Sequence, residues 1–205
     1  VSGTPGTGKT TATELLGGDP ALDPTVVHLN DVVRDEVLWT ERDDERDSLV
    51  ADLDAIRDWL AEREGVGWFD AGDAGVDGEG DTDDPVVVVD SHLAHHLDAD
   101  RVVVLRCAPD ELEDRLLDRG ESEAKARENA ESEALDVILS EAFERHGPES
   151  VYEIDTTGRE PEAVAADVAD VIRGEREPSA GTVDFLDYLG DPGEGVGADG
   201  EEFAE

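Results

Sequence analysis

The stretch at residues 3–10, GTPGTGKT, constrains this chain more than any other, because it satisfies the pattern G-x-x-x-x-G-K-[ST] at every fixed position. Glycines there let the backbone take left-handed turns that point successive N–H groups at an anion. The pattern predicts that the Lys9 ammonium contacts the β and γ phosphates of a nucleotide and that the Thr10 hydroxyl binds the accompanying Mg²⁺. A helix from Thr11 onward would direct the positive end of its dipole at the same phosphates.

Apolar, β-branched runs alternate with helical patterns along the rest of the chain. The runs that predict buried strands are residues 26–29, 85–90, 101–105 and 151–155. Strands separated by helices imply βαβ units, so we expect an α/β P-loop NTPase fold with a five-stranded parallel sheet and helices on both sides. The strand before the phosphate loop is cut to Val1 and Ser2, whereas a typical strand has about five residues. We therefore expect that the true start lies upstream or that a non-standard start codon is read as Val1.

Helix signals fill the segments between the predicted strands. We expect one helix over 30–38 with Asn30 or Asp31 as its cap, and another over 48–63 capped by Ser48. The segment between them, 40–47, is a solvated charge run. Further helices are predicted over 109–120, over 121–147 as one long helix, and over 161–174.

Composition divides the chain into a P-loop domain at 1–174 and an acidic tail at 175–205. Within the domain, the glycine-rich acidic insertion at about 70–84 predicts an exposed loop. The tail is expected to be disordered. It contains an apolar island at 182–189, TVDFLDYL, for which docking onto the body is the less favoured alternative.

The formal charge of −40 is the most unusual property of the composition. Such a chain repels itself in dilute buffer, but at about 1 M salt the Debye length falls to near 3 Å and the repulsion is screened. We infer adaptation to a high-salt cytoplasm, as in salt-loving archaea; an acidic, partly disordered protein is the alternative. With no membrane span or signal peptide visible in the sequence, we expect a cytoplasmic protein. The single cysteine, Cys107, excludes an internal disulfide and a multi-cysteine zinc site and is expected to be a buried apolar residue.

The carboxyl ends of parallel strands gather ligands in this architecture, and the chemically distinctive side chains fall there. Asp90 ends an apolar strand and is predicted to orient Mg²⁺, directly or through water. His92 shares that strand end and would orient a water or a phosphate. Arg34 is placed to clamp the phosphate of a second substrate bidentately. We expect three arginines to close over ATP: Arg119, Arg127 and Arg115. Four others are expected to lie on exposed surfaces: Arg42, Arg46, Arg57 and Arg63.

Four segments in order, GTPGTGKTT, NDVVRDE, VVVVDSH and RLLDRGESEAKARENAESE, resemble the atypical adenylate kinases linked to small ribosomal subunit assembly. The resemblance covers roughly residues 1–173. It implies a monophosphate-binding region at about 30–53, a lid at about 119–129, and the reaction ATP + AMP → 2 ADP with Mg²⁺. The residues implied to bind ATP are Gly6, Gly8, Lys9, Thr10, Thr11 and Arg119; those implied on the monophosphate side are Asp31 and Arg34.

The same resemblance implies ATPase activity from the pair Asp90 and His92, a role in rRNA maturation, and a basic small-subunit ribosomal protein as partner. Direct binding to nucleic acid through a basic surface is not expected at a charge of −40. Ordinary adenylate kinases carry a second monophosphate-binding arginine after the third strand, and DSHLAHH has none. Two alternatives therefore stay open: an assembly factor that uses ATP as a conformational switch, and another small-molecule P-loop kinase of the shikimate or gluconate type.

Overall fold

The structure, a computed structural model, describes residues 1–19, 21–43, 48–64 and 86–190. In chain order its elements are α1 (Lys9–Gly17), β1 (Thr25–His28), α2 (Leu29–Asp35), β2 (Trp39–Asp43), β3 (Ser48–Ala51), α3 (Leu53–Glu64), β4 (Val87–Asp90), β5 (Val102–Arg106), α4 (Pro109–Asp118), α5 (Glu123–Ala134), α6 (Val137–His146), β6 (Val151–Asp155) and α7 (Pro161–Ile172). Single 3-10 turns lie at Ala94–His96 and Leu186–Leu189. Each of the four predicted runs at 26–29, 85–90, 101–105 and 151–155 contains a strand, and the helix and strand order is that of an α/β protein.

Two parallel strand pairs form the sheet framework. β1 pairs with β4, from Thr25 opposite Val87 to His28 opposite Asp90. β5 pairs with β6, from Val102 opposite Val151 to Arg106 opposite Asp155. Both pairs therefore end at their carboxyl edge in charged or titratable side chains.

Residues Val1 and Ser2 lie between these two pairs. The Val1 amino group donates to the Val89 carbonyl at 2.7 Å, and the Ser2 N–H donates to the Val103 carbonyl at 2.7 Å. The prediction of five strands is therefore not met in the described residues, because the central position is held by a single bridge between Ser2 and Val104. Two residues are too few to form a strand of their own.

The side chains of β5 and β6 point alternately to the two faces of the sheet, and helices pack on both faces. Val103 and Leu105 face a core built with α1 and α7, which includes Leu16 and Val168. Val102 and Val104 face the opposite side, where Leu139 and Ala142 of α6 pack. A separate cluster joins α2 and α3 beside β1 and β4, and Trp59 packs at its edge.

The region between α2 and α3 differs from its predicted form. The first part of the expected charge run, in β2, pairs antiparallel with the start of the expected helix, in β3, and Trp39 pairs with Ala51. Residues 44–47 of the charge run lie outside the described residues. Helix α3 begins only at Leu53, and Asp52 rather than Ser48 accepts hydrogen bonds from the N–H groups of Asp54 and Ala55. α2 begins at Leu29, so neither Asn30 nor Asp31 is its cap residue. Strand pairing overrides the helical spacing because it satisfies the backbone groups of both segments.

The predicted long helix over 121–147 is two helices, α5 and α6. The break is at Asp136, whose φ of 55° is left-handed. Its carboxylate pairs with the Arg106 guanidinium. The break in the helix therefore coincides with a long-range ion pair. No glycine or proline near Asp136 predicts this turn from the sequence.

The predicted disorder of the tail does not hold for residues 175–190, because these residues pack on the edge of the β5–β6 pair. The Ser179 N–H donates to the Val151 carbonyl at 3.1 Å. The Thr182 N–H and hydroxyl and the Val183 N–H all donate to Glu153 Oε2, at 2.6, 2.9 and 3.1 Å. The docking alternative thus holds for this stretch, whereas residues 191–205 and the acidic insertion at 70–84 lie outside the described residues. No helix in the described ranges is long and apolar enough to cross a membrane.

Candidate nucleotide site

The phosphate loop connects Ser2 to the first turn of α1. Gly3, Gly6 and Gly8 have φ values of 140°, 99° and 90°, which favour glycine. A Cβ on Gly3 would lie 2.4 Å from the Leu105 carbonyl oxygen, so this position also needs glycine for space. The loop therefore has the backbone form that the sequence pattern predicts, with Lys9 as the first residue of the helix.

Lys9 is buried, and its ammonium donates to the Gly3 and Thr4 carbonyls at 2.7 and 3.0 Å. Burial lowers the pKa of Lys9 to about 8; the charges of Asp90 and Glu133 oppose this shift and that of Arg119 adds to it. The ammonium is thus still mostly protonated at neutral pH. Carbonyl contacts of this kind are weaker than those to phosphate, so an incoming triphosphate can replace them.

Asp90 ends β4 beside the loop and is only 4% exposed. Its Oδ2 accepts from the Thr13 hydroxyl of α1 at 3.1 Å, and its Oδ1 lies 3.0 Å from His28 Nδ1. The strand end, the first helix and β1 therefore fix this carboxylate together. Asp90 was predicted from the sequence and His28 was not, because neither segment alone predicts that β1 pairs with β4.

The oxygen donors at this point suit Mg²⁺, which prefers hydroxyl, carboxylate and water ligands. Thr10 is exposed in the first turn of α1. Both Asp90 oxygens already have protein partners, so Asp90 fits a ligand to the metal's water molecules better than a direct ligand. Thr10 would supply the direct protein oxygen.

His92 lies two residues beyond Asp90 and is half-buried. The pKa of His92 is lowered to about 4, mainly by burial and then by the positive charge of Lys9 and of His95 and His96. Its imidazole is therefore neutral at pH 7. A neutral ring can accept a hydrogen bond from a water or donate one to a phosphate oxygen.

A cleft of about 260 Å³ adjoins the loop. Gly6, Gly8 and Thr11 line it on the loop side, and the guanidinium-bearing residues Arg115, Arg119 and Arg159 on the others. Arg119 is exposed at the carboxyl end of α4. Arg115 donates to the Gly6 carbonyl at 3.3 Å and pairs with Glu111 at 2.5 Å. Arg119 and Arg115 thus lie where ATP is expected, and Arg159, which also pairs with Asp167 at 2.9 Å, lines the same cleft.

The remaining predicted residues lie away from this cleft. Arg34 and Asp31 are exposed on α2 and pair with each other at 3.4 Å. Arg127 is exposed on α5 and pairs with Glu131 at 2.9 Å. None of the three lines the cleft, so their roles stay predictions. Among the arginines expected on the surface, Arg57 is instead partly covered and donates to the His96 carbonyl at 3.0 Å.

A buried network of ion pairs contacts the phosphate loop, and this network was not predicted from the sequence. Glu133 of α5 is 3% exposed and accepts hydrogen bonds from the Thr4 hydroxyl, from Arg106 Nε at 2.7 Å and from the Cys107 N–H at 3.1 Å. Arg106, 1% exposed, also pairs with Glu153 at 2.5 Å. Burial alone would lower the pKa of Arg106, but the surrounding carboxylates raise it. The carboxyl end of α5, just beyond the predicted lid, is thereby tied to the second residue of the loop.

Comparison with known proteins agrees with this site. A family model described as "AAA domain" matches residues 1–136. A protein of Natronomonas pharaonis named "Putative adenylate kinase" is 58% identical over 92% of this chain and 98% of its own length. Proteins of the same name from Halobacterium salinarum and Methanosarcina acetivorans are 54% and 40% identical over 92% of this chain, covering 98% and 97% of their own lengths. The chain therefore belongs to the P-loop AAA-domain family that these archaeal relatives represent.

Proposed function

We propose that this protein is a nucleotide kinase of the adenylate kinase type that catalyses ATP + AMP → 2 ADP. The observation that carries the proposal is the buried Lys9 ammonium, close enough to Asp90 to feel its charge, in a glycine loop that lines the same cleft as Arg119. The names of the relatives support the choice of adenylate kinase among P-loop kinases.

ATP occupies the cleft in this proposal. The N–H groups of the loop and Lys9 hold its β and γ phosphates, with Gly6, Gly8, Thr10 and Thr11 around them. Arg119 approaches the phosphates from the lid. Arg115, which donates to the Gly6 carbonyl, can turn to contact the same phosphates. Phosphoryl transfer needs positive charge around the equatorial oxygens and an in-line arrangement of donor and acceptor, which these cations supply.

Mg²⁺ fits the oxygen donors of Thr10 and Asp90, and when bound it neutralises developing charge on the transferred phosphoryl group. Asp90 then fixes the orientation of the metal's water molecules. AMP is placed on the side of α2, with its phosphate on Arg34. Because Arg34 is exposed and only weakly paired with Asp31, it is free to turn toward a phosphate at little cost.

ATPase activity follows from the same geometry when water replaces AMP. His92 is neutral at pH 7 and lies at the same strand end as Asp90, a suitable place from which to orient an attacking water. The segment after β4 holds no arginine before Arg101, so the chain has fewer phosphate clamps for AMP than ordinary adenylate kinases. This favours slow kinase turnover beside hydrolysis.

The second candidate function is an assembly factor switched by ATP in small ribosomal subunit maturation, with vestigial kinase activity. It rests on the resemblance and on the same shortage of phosphate clamps. The charge of −40 suits a basic ribosomal protein as partner rather than RNA, in a high-salt cytoplasm. Copurification with a small-subunit ribosomal protein tests the partner.

ADP production from Mg²⁺-ATP with and without AMP, at high KCl, tests the enzyme assignment. ADP production is expected to rise when AMP is added, above a basal rate from hydrolysis, and the absence of any AMP dependence would reject adenylate kinase as the main activity. Replacing AMP by other small phosphate acceptors tests the alternative P-loop kinases. Lys9→Ala should abolish all turnover. His92→Ala should lower hydrolysis more than AMP phosphorylation; equal losses would contradict the role given to His92.

A further inference from the structure

Three side chains outside the nucleotide cleft meet where the 3-10 turn Ala94–His96 packs against α6. They are His95, His96 and Glu141, and one ligand atom from each lies within 4.8 Å of the other two. Glu141 Oε2 is 2.8 Å from His95 Nε2 and 3.8 Å from His96 Nε2. The site described above uses none of the three.

An ordinary hydrogen bond explains only part of this arrangement. It accounts for His95 and Glu141, but the His96 ring lies with its centroid 4.0 Å from that of His95 and its Nε2 directed to the same carboxylate oxygen. One carboxylate oxygen therefore faces two imidazole nitrogens. At 3.8 Å the second contact is too long for a hydrogen bond.

The distances suit a tetrahedral cation instead. With metal–ligand bonds of about 2.0–2.1 Å, two ligand atoms of a tetrahedral site are about 3.3 Å apart. The observed 2.8 and 3.8 Å each differ from this by about 0.5 Å, in opposite directions. The Glu141 side chain is 48% exposed, so a small shift of its carboxylate would equalise both distances without moving the backbone.

The ring of His95 is also held through its second nitrogen, as metal ligands usually are. The other ring nitrogen of His95, Nδ1, lies 2.9 Å from the buried Ser2 hydroxyl. The His95 carbonyl is 2.8 Å from His146 Nε2, and the His96 carbonyl accepts from Arg57 at 3.0 Å. The turn is thereby fixed with both Nε2 atoms directed toward α6.

We propose that His95, His96 and Glu141 bind one divalent cation of the Zn²⁺ class, with water in the remaining position. Two imidazoles and one carboxylate select Zn²⁺, Co²⁺ or Ni²⁺ over Mg²⁺ and Ca²⁺, which prefer oxygen ligands alone. The bound ion links the segment after β4, which carries His92, to α6. The proposal does not depend on phosphoryl transfer.

The test is a titration of the metal-free full chain with Zn²⁺ at high KCl, without nucleotide, followed by calorimetry and by the histidine ring resonances in NMR. We expect one equivalent to bind, with the His95 and His96 signals shifting and the His28 signal unchanged. His96→Ala and Glu141→Gln should each weaken binding by at least about tenfold. Both residues are partly exposed, so these variants are expected to fold.

Glu144→Gln is the matched control, because it removes another exposed carboxylate from the same helix. It should leave the affinity for Zn²⁺ unchanged. The proposal is overturned if His96→Ala and Glu141→Gln bind Zn²⁺ as tightly as the unmodified chain, or if the ring signals of His95 and His96 do not respond.

Discussion

Removal of the Glu133 carboxylate is the sharpest test of how the phosphate loop is supported. In Glu133→Ala, three donors lose their acceptor: the Thr4 hydroxyl, Arg106 Nε and the Cys107 N–H. All of them lie in the interior, where water does not easily replace the lost partner. The substitution should therefore destabilise the fold and loosen the second residue of the loop.

The magnitude follows from the partners that remain. Breaking a buried ion pair by removing one member costs about 3–5 kcal/mol. Arg106 keeps the carboxylates of Glu153 and Asp136, so its charge stays paired and we expect the lower end, about 3 kcal/mol. Glu133→Gln keeps one acceptor oxygen and should cost less, about 1–2 kcal/mol.

Urea unfolding at constant high KCl, followed by circular dichroism, measures the loss. Glu131→Ala is the matched control, because it removes one negative charge from the same helix at an exposed pair with Arg127. Such pairs contribute about 0–1 kcal/mol. If the losses for Glu133→Ala and Glu131→Ala agree within about 1 kcal/mol, the buried network does not stabilise the fold more than an exposed pair does. A rise in KM for ATP confined to the Glu133 variants would connect the network to the loop.

Three further predictions concern the tail, the cysteine and salt. Deletion of residues 176–205 removes the donors to Glu153 Oε2 and should lower the free energy of unfolding by about 2–4 kcal/mol relative to deletion of 191–205; equal stabilities in urea would show that the docked segment contributes nothing. Burial raises the pKa of Cys107 to about 11, so a thiol reagent at pH 8 should label the native protein far more slowly than the unfolded one, and equal rates would contradict that burial. Because the chain carries a formal charge of −40, its urea midpoint should rise as KCl shortens the Debye length from about 10 Å at 0.1 M to about 3 Å at 1 M; a maximum without salt would exclude the high-salt interpretation.

Local sequence determined the phosphate loop and most strands, for physical reasons that operate within a few residues. Glycines at fixed spacing permit the left-handed turns of residues 3–10. Continuous β-branched runs are typical of strands buried in a parallel sheet, so β4 and β5 were predictable from their local sequence alone. Asp90 was recognisable because it directly follows such a run.

Only the tertiary structure decided which distant groups meet. The pairing of β1 with β4 brings His28 to Asp90, and the packing of α5 under the loop brings Glu133 to Thr4. The same packing pairs Arg106 with Asp136, the residue at which the helix predicted over 121–147 breaks. In a chain with so many acids, the sequence does not reveal which carboxylates are buried. That choice depends on long-range partners, because burial of a charge is tolerated only where the fold supplies a compensating cation or hydrogen-bond donor.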